Sequence, residues 1–343
     1  MKSWELWLEY LKSKINIIQR LINTTSTPDA FIVNKSESPA IANINRFLAK
    51  YNLNKISNLQ LYDEQAKYYE RNGYVASIVE YSKFTPDEVV AILLDGLQHK
   101  KSTISFLSCI YNQKQRNFVT VQEQLPKKNK NKKQVVVNKL LDKQRELISY
   151  GAEVVLPLET INIIREYFYG LSTVEVYSTD TFINEQLIKA DEPFYSKITD
   201  DLVLQINDHY YMTLFTKEYP ENTVQLLQNL FNVLCDSDIN LFYNINCNDL
   251  ENNKVKFINT FIVFDSSREK LLEKTKLLID YMYSNFGWLL AKNKGFSFQQ
   301  FMSCIPMQFD DDIAKFQDNY TIKHTFPTEL LKDFIYHEIQ TTT

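Results

Sequence analysis

Glycine is scarce in this sequence, with 6 among 343 residues. None of the six precedes a lysine and no pair has GxxxxGK spacing, so there is no Walker A loop to cradle a nucleotide phosphate. Cysteine is equally sparse. Cys109, Cys235, Cys247 and Cys304 are scattered, with no CxxC pair and no histidine at ligand spacing. That excludes a zinc ribbon or a disulfide framework and fits reduced, packed thiols in a cytoplasmic protein. No apolar run approaches the ~20 residues of a membrane span. A signal-peptide core is also missing, because Glu5, Glu9, Lys12 and Lys14 interrupt the first residues. A net charge of -4 removes any general attraction to nucleic acid or anionic lipid.

Candidate catalytic groups are thin as well. His99, His209, His324 and His337 lie far apart, with no Ser or Cys motif beside them. Asp310, Asp311 and Asp312 form the densest carboxylate cluster, but adjacent acids on one turn point in different directions; a helix N-terminus is their expected role. The sequence therefore predicts no catalytic residue, no cofactor site and no metal site.

What is present is ordinary globular material, 44% hydrophobic and 23% charged. The 21 tyrosines and 22 phenylalanines accompany abundant Asn, Lys and Ile, which reads as AT-rich coding bias rather than function. A chain this long is expected to divide into two domains. The expected boundaries are residues 1–45 for an N-terminal amphipathic helix and linker, 46–195 for a first domain, and 196–343 for a second with C-terminal helices.

In the N-terminal segment Trp4, Leu8, Leu11, Ile15, Ile18 and Ile22 alternate spacings of four and three, giving one apolar stripe. The stripe either packs on its own domain or forms a docking face for a partner helix or a membrane surface. Further along, strands are expected at Tyr74 to Tyr81, Thr103 to Tyr111, Asn117 to Leu125 after a short QKQR turn, and Ala152 to Leu158. Helices are expected from Thr85-Pro86 to His99, from Val136 to Tyr150, and from Glu159 to Tyr169 before Gly170. Lys127, Lys128, Lys130, Lys132 and Lys133 precede the second of these. They are either a solvated loop or a contact for phosphates or anionic lipid.

The order then repeats. A strand or hairpin around Asn207-Asp208 is followed by a helix from Asn222 to Leu234 and strands at Ile239 to Ile245 and Phe257 to Phe264. Asp265, Ser266 and Ser267 offer caps for a helix that Gly287 ends. Trp288-Leu289-Leu290 returns as a short strand, and Ser297 starts a helix that Pro306 stops. The fold expectation is α+β: two successive ferredoxin-like (βαββαβ plus helix) units with antiparallel sheets, each with helices on one face, after the amphipathic helix.

The segments NFVTVQEQLPKKNKNKK, LLDKQRELISYG, AEVVLPLETINIIREYFYG and DDLVLQINDHYYMTLFTKEYPENT, together with FINTFIVFDSS, the long helix, FGW and QQFMSCIPM before TFPTELL, carry a resemblance. In order and spacing they resemble the amino-terminal part of TraC-type conjugation ATPases of F-like type IV secretion systems. Family members are cytoplasmic ATPases at the inner membrane, with Walker motifs that would lie beyond Thr343 here. The resemblance implies a module without the motor, acting in docking or assembly rather than as an enzyme. Its implied partners are proteins of the secretion or conjugation inner-membrane complex, a separate ATPase subunit or a second copy of itself. The implied location is cytoplasmic, with peripheral contact at the inner membrane. The alternative is a stand-alone ferredoxin-like module binding protein or RNA, unrelated to secretion. The acidic balance weighs against RNA.

Overall fold

The fold is taken from a computed structural model, which describes residues 60–63, 68–71, 73–81, 102–126, 130–175, 196–198, 203–219, 234, 237–292, 297–306 and 324–327. The N-terminal stripe from Trp4 to Ile22, the helix expected at 85–99, all but Leu234 of the helix expected at 222–234, and Asp310 to Asp312 lie outside the described residues.

The strands are β1 (Gln60–Asp63), β2 (Tyr68–Arg71), β3 (Tyr74–Glu80), β4 (Ser102–Tyr111), β5 (Lys114–Gln124) and β6 (Glu153–Val154) in the first half. The second half has β7 (Ser196–Ile198), β8 (Leu204–Ile206), β9 (His209–Glu218), β10 (Asn240–Glu251), β11 (Lys254–Asp265), β12 (Leu289–Lys292) and β13 (His324–Pro327). Helices α1 (Lys130–Ser149) and α2 (Pro157–Ile163) belong to the first half, and a π-helical turn (Ile164–Phe168) extends α2. Helices α3 (Arg268–Phe286) and α4 (Ser297–Cys304) belong to the second.

Among the described residues, thirteen strands join one antiparallel sheet in the order β1-β2-β3-β5-β4-β10-β11-β9-β8-β7, with β6 on β3, β12 on β9 and β13 on β11. The order reads the same from either edge. Its centre is the β4–β10 pair, in register from Ile110 opposite Leu241 to Ile104 opposite Cys247. Two-residue turns close the flanking hairpins. Asn112 and Gln113 join β4 to β5, Asn252 and Asn253 join β10 to β11, and all four residues have positive φ. That is the mirror-image turn whose twist matches paired strands.

Side chains alternate between two covered faces. One face holds Val75, Val79, Ile104, Val119, Val121, Tyr243, Phe257 and Phe261 against Leu140 and Leu147 of α1 and Leu271, Leu278 and Met282 of α3. The other holds Ile78, Leu107, Phe118, Tyr211, Phe242, Ile262 and Phe264 against Ile161 and Phe168 on one side and Phe301 and Met302 of α4 on the other. Phe242 stacks between Phe168 and Phe264, with ring centroids 4.4 Å from each.

The expectation of two ferredoxin-like units, each with its own sheet and helices on one face, is corrected here. The β4–β10 ladder fuses both halves into one sheet, and α2, the π-helical turn and α4 close the face expected to be open. The physical cause lies in the strands. Ser102–Tyr111 and Asn240–Cys247 contain no charged residue, so neither is built to leave an edge in water. The apolar side chains on the second face likewise require cover.

Local signals set the helix limits. The Ser267 hydroxyl accepts from the Lys270 amide to cap α3, and Gly287, at φ 65°, ends it in the left-handed region. Among the described residues no helix is long and apolar enough to cross a membrane.

Candidate functional site

Among the described residues, three of the polar groups that interrupt the apolar layers stand out. The first lies under α1, where Lys143 Nζ donates to Glu123 Oε1 at 2.6 Å and Ser102 Oγ donates to Glu123 Oε2 at 2.6 Å. The two charged side chains are 4% and 6% exposed, so this ion pair is dry. The next residue, Gln144, donates from Nε2 to Ser77 Oγ. An ion pair tied this way ties α1 to β4 and β5; it offers no free proton acceptor for chemistry.

The second group sits where α2 meets β3 and β5. Arg116 donates to both oxygens of Glu80, at 2.8 and 2.6 Å, and also to Glu159. Its guanidinium lies 5.1 Å from the centre of the Phe118 ring. Tyr167 nearby has its hydroxyl pushed above the ordinary value by burial, partly offset by Arg116.

The third group is a polar belt at the middle of the second face, partly roofed by α4. Ser105 Oγ donates to Asn244 Oδ1 at 2.8 Å, and Gln300 Nε2 donates to Thr260 Oγ1 at 2.9 Å. Asn246 Nδ2 reaches the Ser303 carbonyl at 3.4 Å, and Cys304 Sγ reaches the Gln300 carbonyl at 3.4 Å. Asn244 Nδ2, Asn246 Oδ1 and Thr213 Oγ1 are buried without a partner. Burial pushes the Cys304 thiol up to about 12, and the thiols of Cys109 and Cys247 are raised as well. None of the three is a thiolate at neutral pH, so none is an activated nucleophile.

The two halves are also clamped together at the end of the π-helical turn. Tyr211 donates its hydroxyl to the Tyr167 carbonyl at 3.1 Å, and Asn207 Nδ2 donates to the Tyr169 carbonyl at 2.7 Å. Gly170 follows at φ 58°, so close to His209 that a Cβ there would come within 2.1 Å of Nδ1. Burial lowers the His209 pKa from 6.5, against the pull of Asp208 and Asp265.

Among the described residues no group of three or more His, Cys, Asp and Glu could hold a metal ion. Lys130, Lys132 and Lys133 are brought together on the first turn of α1, the first two exposed and the third half-buried. The expected loop is helix there, since lysine is a good helix former. Lys127 and Lys128 lie outside the described residues. Of the histidines, only His209 has a described side chain. The sequence reading missed the polar belt. Asn244 and Asn246 alternate with Ile245 and Cys247, a pattern that normally marks a solvated face.

No family profile matches the chain, and no curated protein matches it. Solved structures with some likeness include berberine bridge enzyme from Eschscholzia californica, at 14% identity and a TM-score of 0.29 over 62% of this chain. A variant of that enzyme titled a reticuline dehydrogenase gives 13% and 0.29, and another variant in complex with (S)-reticuline gives 14% and 0.27. The chain spans 41% of the length of these proteins. Likenesses this slight carry no argument about fold or activity.

Proposed function

We propose that the chain is a docking and assembly module of a type IV secretion or conjugation apparatus, without a motor of its own, at the cytoplasmic face of the inner membrane. One observation carries the reading. The residues most specific to the TraC-type resemblance, from FINTFIVFDSS to QQFMSCIP, supply β11, α3, β12 and α4, with both strands paired to β9 and the two helices on opposite faces of the sheet. The resemblance therefore concerns elements of the fold and not a surface motif.

The buried chemistry suits a scaffold. Glu123 is tied to Lys143, Asp265 is tied to Lys274 at 2.7 Å, and the described thiols are held protonated. Sheet-based RNA recognition is disfavoured. Both faces of the sheet carry helices, leaving less bare face on which bases could stack. In this reading the stripe of Trp4, Leu8, Leu11, Ile15, Ile18 and Ile22 supplies the contact with an inner-membrane subunit or the bilayer, and Lys127, Lys128, Lys130, Lys132 and Lys133 face anionic headgroups.

The test uses the tagged full chain in cells with and without a complete conjugation apparatus. The chain is expected to sediment with inner membranes and to co-purify with the motor ATPase only when the apparatus is present. Removing residues 1–25 should abolish sedimentation and leave the melting temperature unchanged. Calorimetric titration with ATP and Mg²⁺ should give no specific heat. Identical fractionation with and without the apparatus, or a stoichiometric micromolar ATP site, overturns the proposal.

A further inference from the structure

A row of polar side chains crosses the second face of the sheet. It runs from Ser105 on β4 through Asn244 and Asn246 on β10 and Thr260 on β11 to Thr213 on β9. Register sets Ser105 opposite Asn246 and Asn244 opposite Thr260. Thr213 faces Ile262, the next residue after Thr260 on that face. Helix α4 lies against the middle of the row, where Gln300 Nε2 donates to Thr260 Oγ1 and Asn246 Nδ2 donates to the Ser303 carbonyl. Thr213, Asn244, Asn246 and Thr260 are at most 1% exposed, while Ser105 is half-buried. The row thus leads from a half-exposed hydroxyl into the core.

Donors and acceptors along it do not balance. Asn244 Oδ1 accepts from the Ser105 hydroxyl, and its Nδ2 has no partner. Asn246 Nδ2 is used on Ser303, and its Oδ1 has no partner; nor has Thr213 Oγ1. Asn244 and Asn246 are two residues apart on one strand, so their side chains stand side by side on one face. Turning the Asn244 amide over would leave its oxygen alone in place of its nitrogen. Turning Asn246 would set its oxygen against the Ser303 carbonyl, acceptor to acceptor. The Cys304 sulfur beside Asn244 is too weak an acceptor to settle the amide. Buried amides left this way are costly, and proteins satisfy them with ordered water.

We propose that the row is an internal hydration site, in which ordered water enters past Ser105 and bridges Asn244 Nδ2 to Asn246 Oδ1 beneath α4. The chemistry of the two atoms selects the occupant. Nδ2 can only donate and Oδ1 can only accept, so the occupant must do both. A metal ion would meet the Asn244 N–H, and an anion would meet the Asn246 oxygen. All five side chains of the row are uncharged, so neither ion would be neutralised there. Water accepts from one amide, donates to the other, and keeps a proton and a lone pair for a second water. Thr213 Oγ1 gives water the same kind of anchor further along. Helix α4 is then joined to β10 through water as well as through Phe301 and Met302 in the apolar layer. This inference does not depend on the secretion reading.

The test counts long-lived water by oxygen-17 relaxation dispersion on the full chain, with and without the paired changes Asn244→Leu and Asn246→Leu. Leucine keeps the branched shape and has no polar atom to hold water. The double variant should lose dispersion amplitude worth about one to two water molecules, with far-ultraviolet circular dichroism unchanged. Unchanged amplitude in the folded variant overturns the proposal. Should the variant unfold, the unaltered chain labelled with nitrogen-15 at asparagine decides. Its Asn244 side-chain amide protons should show dipolar cross-relaxation with water, told from chemical exchange by its sign in the rotating frame. Absence of that cross-peak overturns the proposal.

Discussion

At the scale of single residues, the Lys143–Glu123 pair is where one substitution has the largest expected effect. Lys143→Met would leave Glu123 charged, buried and supported only by Ser102, a loss of about 3–5 kcal/mol. Denaturant unfolding should show that loss, and pairing the change with Glu123→Leu should recover most of it. His209 sets a pH dependence. Its folded pKa lies below 6.5, so between the two values the unfolded chain binds more protons than the folded one. Stability should fall with acid as the pH drops through about 6.5 toward the folded value. The stability of the native chain relative to His209→Gln, read from urea midpoints across that range, should decrease as the pH falls; a constant difference would show that His209 does not titrate with folding. None of this was legible in the sequence. Lys143 and Glu123 look like any charges on a helix and a strand until α1 closes over them. The isolation of His209 from the other histidines also says nothing of Gly170 beside it.

At the scale of elements, the sequence was more informative. Short runs rich in β-branched and aromatic residues located β3, β5 and β11 to within a few residues, and Ser267 and Gly287 bounded α3 as their chemistry requires. Two departures have clear causes. α1 starts at Lys130 and not near Val136, because the lysine run propagates a helix. The strand expected from Ala152 to Leu158 shrinks to Glu153–Val154, since Pro157 already begins α2 with its ring at a first-turn position. The hairpins invite a direct test. Gln113 adopts φ 63°, a conformation that costs an ordinary L-residue about 1 kcal/mol. Gln113→Gly should therefore raise stability by roughly 0.5–1 kcal/mol, read from a shifted denaturation midpoint at unchanged slope. No change or a loss would mean that the Gln113 side chain contributes more than its backbone strain removes.

At the scale of the whole molecule, seven consecutive residue pairs join β4 to β10, and that seam decides how the protein unfolds. Its strands carry Ile104, Phe106, Leu107, Phe242, Tyr243 and Ile245, all buried. Scanning calorimetry should accordingly give one cooperative transition, and hydrogen exchange should be slowest in β4 and β10. Two separated transitions would mean that the halves are independent domains. The fusion had one sequence signal, the absence of charge along both strands, but pairing across some 130 intervening residues leaves no local pattern to read. The seam has a consequence for symmetry. β4 and β10 occupy corresponding places in their halves and run antiparallel, the arrangement that two identical strands adopt about a dyad. A half-length polypeptide would present the same uncharged strand to its own copy and close the same sheet as a homodimer. The seam thus does within one chain what a dyad-related interface does between two copies.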